Sequence, residues 1–411
     1  MKNKCLAAVL SCLLIICLAG CGGTKKNSAE DSLKRVADHL FEISYTEDFD
    51  WGETVTPGGV ISACSGVQVG QYRGRNYDWY YGDTDLCVVH ASKTENREHA
   101  SVGITDLSFI TDEDGNIDYA KIPSYTVDGI NDAGVCIQVN VIPYGENGEL
   151  VHTDDTSDDL SGVRVVRFLL DYADNVEEAI ELLESKDIYA ALHDEEELHW
   201  LISGPANETD SSIRTVVAEV FPDGLHITEE FVGDVPIMTN FNVSNFDGSA
   251  QSVGWGLGYE RWQILLENYQ QADSVMGTFD LMEKVFFSKM YDLYSDQFWY
   301  SEYALIELGN YYEEAELKSL LGEDTYNYFM DNFGGVYYVP ALWDGESCIA
   351  GDISKTGILA PVVEKITDKY KAQNMGDELW ITVETAVYDL ENLTLDVAVR
   401  ESQDHYHFEI E

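Results

Sequence analysis

The sequence predicts an α+β protein built of layers rather than a doubly wound sheet, and three observations carry that expectation. Strand-like stretches dominate from Val60 to Tyr144 and again from Leu198 to Asn242. Two blocks of helical periodicity, 163–185 and 259–294, interrupt them, and a pair of strands closes the chain. Strict alternation of strand and helix, the mark of a parallel α/β sheet, is missing. With 411 residues, 45% hydrophobic and 12% aromatic, the chain can bury a large core.

The elements follow in order. MKNKCLAAVLSCLLIICLAGC opens with two lysines, then an apolar run from Cys5 to Leu18, then small residues up to Cys21. That order describes a secretory signal, and the run is short for a membrane span. LAGC at 18–21 has the pattern of a bacterial lipobox. Residues 1–21 are therefore expected to be a lipoprotein signal peptide with Cys21 lipidated, anchoring an extracytoplasmic protein to the bacterial cell membrane. Residues 22–63 read as a polar tether or propeptide. One stretch within it, DSLKRVADHLFEI, carries Leu33, Val36, Ala37 and Leu40 at helix spacing. TPGG at 56–59 breaks the chain before VISACSGV.

From Val60 the expected strands are VISACSGVQV, LCVVHAS and ASVGITDLSFI, and DGINDAGVCIQVNVIPY reads as a turn followed by a strand. VRVVRFLLDYADNVEEAIELLES turns helical, with Asn175 as an N-cap and Glu177 and Glu178 in the first turn. LHWLISGP, IRTVVAEVF, GLHITEEF and VPIMTNFN return to strands, and YERWQILLENYQQ and FDLMEKVFFSKMYDLY to helices. Residues 301–376, rich in Tyr and Gly, read as an inserted subregion of a domain spanning 64–411. ELWITVETAVYDLENLTLDVAVRES closes the chain as a hairpin around DLEN.

The charge excludes one class of partner. Against 75 Asp and Glu stand only 24 Lys and Arg, a net charge of −51. Nothing supplies the basic stripe that releases phosphate counterions, so nucleic acid is excluded. Of eight cysteines, Cys5, Cys12 and Cys17 belong to the leader and Cys21 to the lipobox. The remaining four are widely spaced and form neither a disulfide framework nor a C-x-x-C pair. Cys87 and Cys136 sit in apolar stretches and read as small core residues. His405 and His407 share one strand face, but no further ligands gather and no metal or other cofactor is expected.

Cys64 stands apart, between small residues and ten positions before GRNYDW. A thiol becomes a nucleophile when something takes its proton. One arrangement pairs it with a histidine, yet none of the nine histidines lies in a recognisable signature. His199, alternating within ELHWLI, suits a core or edge position better than a base. A second arrangement cleaves Ala63–Cys64 and uses the freed α-amine, which titrates near ~8, as the base. The third is a buried structural cysteine, and from Cys64 alone that reading is the more frequent one.

The wider pattern favours the second. Cys64-Ser65-Gly66 followed by GRNYDW at 74–79 resembles the opening of the choloylglycine hydrolase family of N-terminal-nucleophile hydrolases, which includes conjugated bile salt hydrolases and penicillin V acylases. DGINDAGVCIQVN, ELHWLISG with VVAEVFPDGLHI, PIMTNFNV, GLGYERW and WITVETAVYDLENLTLDV resemble further segments of that family, in the same order. The fit is poor only over 301–376. The resemblance implies a four-layer αββα sandwich and hydrolysis of linear, non-peptide amide C–N bonds in small N-acyl compounds, through a thioester on an autoprocessed N-terminal cysteine.

Carried over position by position, the resemblance makes Cys64 the nucleophile and its freed amine the base. Asp78 would hold the amine, Arg75 would stabilise the thiolate, Asn240 would position the reacting centre and Arg261 would supply a second cation. Asn140 would donate to the oxyanion, a role worth ~3 kcal/mol in related chemistry. Counted without gaps from Gly134, however, Asn140 falls one residue earlier than the family pattern, where Val141 would sit. A strand alternates faces, so a bulge would be needed to turn Asn140 inward. Tyr259 and Glu260 replace the family's Pro-Ser before the arginine, which leaves specificity open. Tyr80, Tyr81 and Tyr144 are the expected aromatic lining of the acyl pocket. Self-association is left open, and a catalytically inactive, lipid-anchored binding protein on the same scaffold is the alternative.

Overall fold

The computed structural model describes residues 33–49, 64–80, 84–112, 115–143, 159–189, 196–221, 223–253, 258–286, 380–400 and 404–410, with isolated positions between 315 and 354. The expectations for Cys21, Ala63, Tyr81, Tyr144 and most of 301–376 fall outside these residues.

Two large sheets form among the described residues. The first has nine strands in the order β1-β2-β5-β6-β7-β8-β11-β12-β13. These are β1 (Lys34–Ala37), β2 (Leu40–Tyr45), β5 (Leu86–Ala91), β6 (Ser101–Asp106), β7 (Thr126–Asn131), β8 (Cys136–Pro143), β11 (Glu196–Asn207), β12 (Asp210–Phe221) and β13 (Gly224–Thr228). The second has six, in the order β14-β3-β4-β17-β18-β19. These are β14 (Ile237–Met238), β3 (Ser65–Val69), β4 (Tyr72–Tyr80), β17 (Trp380–Asp389), β18 (Thr394–Val399) and β19 (Tyr406–Glu409). Two short pairs, β9 (Asp159–Ser161) with β10 (Asp187–Tyr189) and β15 (Ser347–Cys348) with β16 (Ile353–Ser354), stand apart.

The sheets stack face to face. Tyr77 and Trp79 of β4 with Ala386 and Tyr388 of β17 pack against Val88, Ile104 and Ile130 of the larger sheet in one buried cluster. Helices α1 (Val165–Tyr172) and α2 (Val176–Glu184) cover the outer face of the nine-stranded sheet, where Val166, Leu169 and Leu170 meet Ile137, Trp200 and Ile202. On the far side, α3 (Tyr259–Asn268) and α4 (Val275–Met282) pack on the six-stranded sheet, with Trp262, Leu265, Leu281 and Met282 around Val67. The layers are therefore helix, sheet, sheet, helix, the four-layer αββα sandwich that the sequence led us to expect.

Local sequence explains the helix starts. Asn175 Oδ1 accepts the Glu178 amide at 3.0 Å, and Glu178 Oε2 accepts the Asp174 amide at 2.8 Å, a reciprocal cap. Ser274 caps α4 by accepting the Gly277 amide at 3.1 Å. That cap sets the start of α4 at Val275, four residues before the position expected from periodicity. DGIN, expected as a turn, is the end of β7, and the turn falls at 132–135.

The larger correction concerns residues 31–43. Their helix-spaced apolar residues are not a helix: Lys34–Ala37 and Leu40–Tyr45 form a hairpin on the edge of the nine-stranded sheet. Leu40, Ile43 and Tyr45 are buried, and LFEISY is rich in β-branched and aromatic residues. Two faces of a strand within a sandwich can both be apolar, and that breaks the period-2 pattern which would have revealed it. The folded body thus begins well before Cys64.

Candidate active site

Cys64 immediately precedes β3, which lies between β14 and β4 in the six-stranded sheet. It is 1% exposed and belongs to the cluster between the sheets. Strand alternation on β4 sorts the GRNYDW motif onto two faces. Arg73, Arg75, Tyr77 and Trp79 point to the space between the sheets, while Gly74, Asn76 and Asp78 face the helices. Gly74 shows this: a Cβ there would lie 2.8 Å from Thr278 and Met282 of α4.

Arg75 and Asp78 are both buried, and each has found an opposite charge. The Arg75 guanidinium pairs with Asp128 of β7, donates to the Val139 carbonyl at 3.2 Å and lies 4.8 Å over the Tyr77 ring. Asp128 also accepts from the Tyr388 hydroxyl. Asp78 accepts from the Thr382 hydroxyl at 2.6 Å, and its other oxygen lies 3.6 Å from Arg261 Nη1.

Arg261 gathers the site. It lies in the first turn of α3, entered through Gly258 at φ 92°, and is itself fully buried. Its Nη1 donates to the Cys64 carbonyl at 2.7 Å and its Nη2 to Asn240 Oδ1 at 2.8 Å. Gly258 makes room for this: a Cβ there would stand 2.7 Å from Arg261 Nη2, in a backbone region that favours glycine. Asn240 Nδ2 in turn donates to the Val141 carbonyl at 2.6 Å, linking the loop after β14 to β8. Cys64, Asp78, Asn240 and Arg261 are thus brought into one connected cluster, with Arg75 on the sulfur's side of the sheet.

Asn140 occupies a different place from the one expected. β8 pairs with β11 from Cys136 to Pro143 without a register shift, so the anticipated bulge is not there. None is needed, because Asn140 already points with Gln138 toward the six-stranded sheet. Its Nδ2 donates to the carbonyls of Met238, at 3.3 Å, and Thr239, at 2.9 Å, and its Oδ1 accepts from Gln138 Nε2 at 2.9 Å. Both amide hydrogens are spent on the chain that carries Asn240. In this arrangement Asn140 is a strut for that segment. Tyr80 ends β4, and Tyr81 and Tyr144 lie outside the described residues.

Electrostatics decide the protonation state of the thiol. Burial pushes the Cys64 thiol up, and the Asp78 carboxylate adds to this; Arg75, the Asp78 backbone amide and Arg261 pull the other way without winning. The uncut chain therefore holds a neutral thiol that needs a base. His199 does not supply one. It is fully buried, with Nδ1 3.2 Å from Glu219 and Nε2 3.0 Å from the Thr239 carbonyl. Since Nε2 must donate to that carbonyl, His199 acts as a tie between β11 and the residue before Asn240, as its strand position suggested.

Several members of the cluster were not evident in the sequence. Asp128, Thr382, Tyr388 and Glu384 reach the site from strands far away in the chain, and only the strand pairing of β4 with β17 and the stacking of the sheets bring them in. Glu384 is the most unusual. It follows a register shift opposite Tyr77 and Asp78, is fully buried, and neither carboxylate oxygen has a hydrogen-bond partner among the described residues. Burial raises it to about 7, with Asp106 adding to the rise and Arg75 opposing it.

The model of the choloylglycine hydrolase family, linear amide C–N hydrolases, matches residues 66–282. The chain belongs to this family. No curated protein sequence matches it. Among solved structures, it is similar to a mutant conjugated bile acid hydrolase from Clostridium perfringens, at 10% identity and TM-score 0.42, covering 85% of this chain and 92% of that one. It is also similar to penicillin V acylase from Agrobacterium tumefaciens, at 14% identity and TM-score 0.37, covering 84% and 86%. The layer order of this choloylglycine hydrolase family member stands on its own sheets and helices.

Proposed function

We propose that this protein hydrolyses the C–N bond of small N-acyl amides with Cys64 as an N-terminal nucleophile, exposed by cleavage of the Ala63–Cys64 bond. One observation carries the reading. A single buried guanidinium, Arg261, binds the Cys64 carbonyl and Asn240 and faces Asp78, so the backbone of the cysteine, and not only its sulfur, is held by charged groups. A merely structural cysteine has no need of that.

In the uncut chain the Cys64 nitrogen is an amide and stands in for the amine of the mature protein. In processing, the sulfur attacks the Ala63 carbonyl carbon, and the nitrogen leaves with the thiol's proton. Water then hydrolyses the thioester, giving an Ala63 carboxylate, a free thiol and a primary amine. In turnover the amine takes the thiol's proton as the sulfur attacks the substrate acyl carbon. It passes that proton to the departing amine, and a water hydrolyses the acyl thioester to the free acid. Asp78 orients the amine, and Arg75 and Arg261 favour the thiolate. The net charge of −51 opposes the approach of anionic conjugates, so we place neutral acyl amides first. From the LAGC pattern we place the protein on the outer side of a bacterial membrane, held by lipid on Cys21.

The test is amine release from a panel of N-acyl amides by the full-length protein, compared with Cys64→Ser and Cys64→Ala. Cys64-dependent release, with a hydroxylamine-sensitive acyl adduct on the protein, is the expected result. The buried, neutral thiol of the uncut chain favours the second reading, an inactive binder on the same scaffold. Saturable binding of such amides with no release by processed protein would establish that instead.

A further inference from the structure

Residues 34–45 lie on the N-terminal side of the bond that the proposed mechanism cuts, yet they are built into the sheet that backs the site. β2 runs parallel to β5 over six residue pairs, from Leu40 against Leu86 to Tyr45 against Ala91, and β1 folds back along its other edge. Both faces of β2 are committed. Leu40 is fully buried in the core between the sheets, with Val36 and Ala37 packed against the same cluster. Ile43 and Tyr45 enter the outer core beside Cys87, Val89 and Tyr125.

The end of the segment is fastened separately. Arg97, 2% exposed, donates from Nη2 to the carbonyls of Tyr45 and Glu47, at 3.3 Å each, and lies 4.8 Å over the Phe49 ring. Asn96 Nδ2 donates to Asp48 at 2.5 Å, and the Tyr45 hydroxyl donates to the Tyr119 carbonyl at 2.6 Å. Every one of these contacts joins residues 34–49 to residues after Cys64.

We infer that the N-terminal fragment stays bound after the Ala63–Cys64 bond is cut, as two strands of the nine-stranded sheet, so that the mature enzyme is a two-chain protein. This rests on the cleavage proposed above. Cleavage adds one water across the peptide bond, leaving an Ala63 carboxylate and a Cys64 amine, and breaks none of the strand pairings among the described residues. Loss of the fragment would instead strip β2 from β5 and uncover an edge of six residues, LCVVHA, whose members are all buried in the intact sheet. An exposed apolar edge of that kind templates aggregation, which the retained hairpin prevents. With lipid on Cys21, the same two strands would hold the catalytic body at the membrane after its covalent link is gone.

The experiment takes the full chain with a C-terminal affinity tag, isolates it without denaturant and measures intact masses. The expected result is a chain starting at Cys64 together with one equivalent of a chain ending at Ala63. The two should co-elute in size exclusion and separate only in denaturant. A chain starting at Cys64 that elutes alone overturns the inference and leaves the cleavage reading standing. An uncut chain overturns the cleavage reading. Retention is then read on a Cys64→Ala variant carrying an inserted protease site within residues 53–58. After the external cut, the fragment should stay bound, and its release would overturn the inference. In that cut protein Ile43→Asp should speed fragment loss at least tenfold relative to Lys34→Ala on the exposed edge; equal retention would contradict docking through β2.

Discussion

Replacing Glu384 by glutamine tests the buried charge arrangement with little change of shape. The ordinary carboxyl value near 4.5 is raised in the folded protein to about 7, chiefly by burial, with Asp106 reinforcing it and Arg75 opposing it. Between those two values the unfolded chain has lost the proton while the folded protein keeps it. The stability this group contributes is complete below the ordinary value and is lost as pH rises through about 7. Each pH unit across that window is worth about 1.4 kcal/mol, so the loss amounts to about 3 kcal/mol by pH 8. Glu384→Gln is neutral at every pH and escapes it. Urea unfolding of both proteins from pH 4.5 to 8.5 is the assay, and the difference between them cancels the repulsion of the acidic surface. The variant should gain about 3 kcal/mol on the parent across that range. A difference that stays flat with pH would refute the placement of an ionisable Glu384 in the inter-sheet core.

Other expectations follow from the same contacts. Asp78→Asn removes the carboxylate facing Arg261, and kcat/KM for any acyl amide substrate should fall at least about 10²-fold while the fold persists by circular dichroism. Arg261→Met breaks a buried charge pair and frees the Cys64 carbonyl; urea unfolding should show a loss of about 3–5 kcal/mol. Glu219 is pushed up by burial but held below the ordinary range by His199 and the Ser244 amide, so its contribution is present at neutral pH and lost on acidification. Glu219→Gln should cost about 1–3 kcal/mol at pH 7 and much less near pH 3, read from the same urea curves. Gly66→Ala would drive a Cβ into the Gln138 side-chain amide and, through Asn140, disturb the Asn240 segment. Its kcat/KM should fall more steeply than its unfolding midpoint.

Much of the fold was legible because its strands carry strong local signals. LCVVHA, ELHWLISG and TAVYDLENLTLDV combine β-branched runs with turn residues, and Asn175 marks a helix start through its own hydrogen bond, whereas the cap at Ser274 went unnoticed. Residues 34–45 were misread because burial on two faces disguised a strand as helical spacing. The site was legible as far as it lies in local motifs. Cys64, Arg75 and Asp78 share one hairpin, and Asn240 and Arg261 each occupy a recognisable segment. Asp128, Thr382, Tyr388 and Glu384 were not, since their roles come from strand pairing and sheet stacking between residues far apart along the chain, as with Asp78 and Thr382, 304 apart. The role of Asn140 also depended on tertiary contact: its face was set by strand alternation, but the carbonyls it meets belong to a loop about 100 residues on.

The central claim is that the working nucleophile is an N-terminal cysteine at position 64. Its most direct measurement is the intact mass of the active protein after brief incubation with an N-acyl amide and acid quench. The account predicts a chain beginning at Cys64, a fraction of it heavier by one acyl group, and no such chain in Cys64→Ala. Active protein whose chain still runs unbroken through Ala63–Cys64 would contradict it.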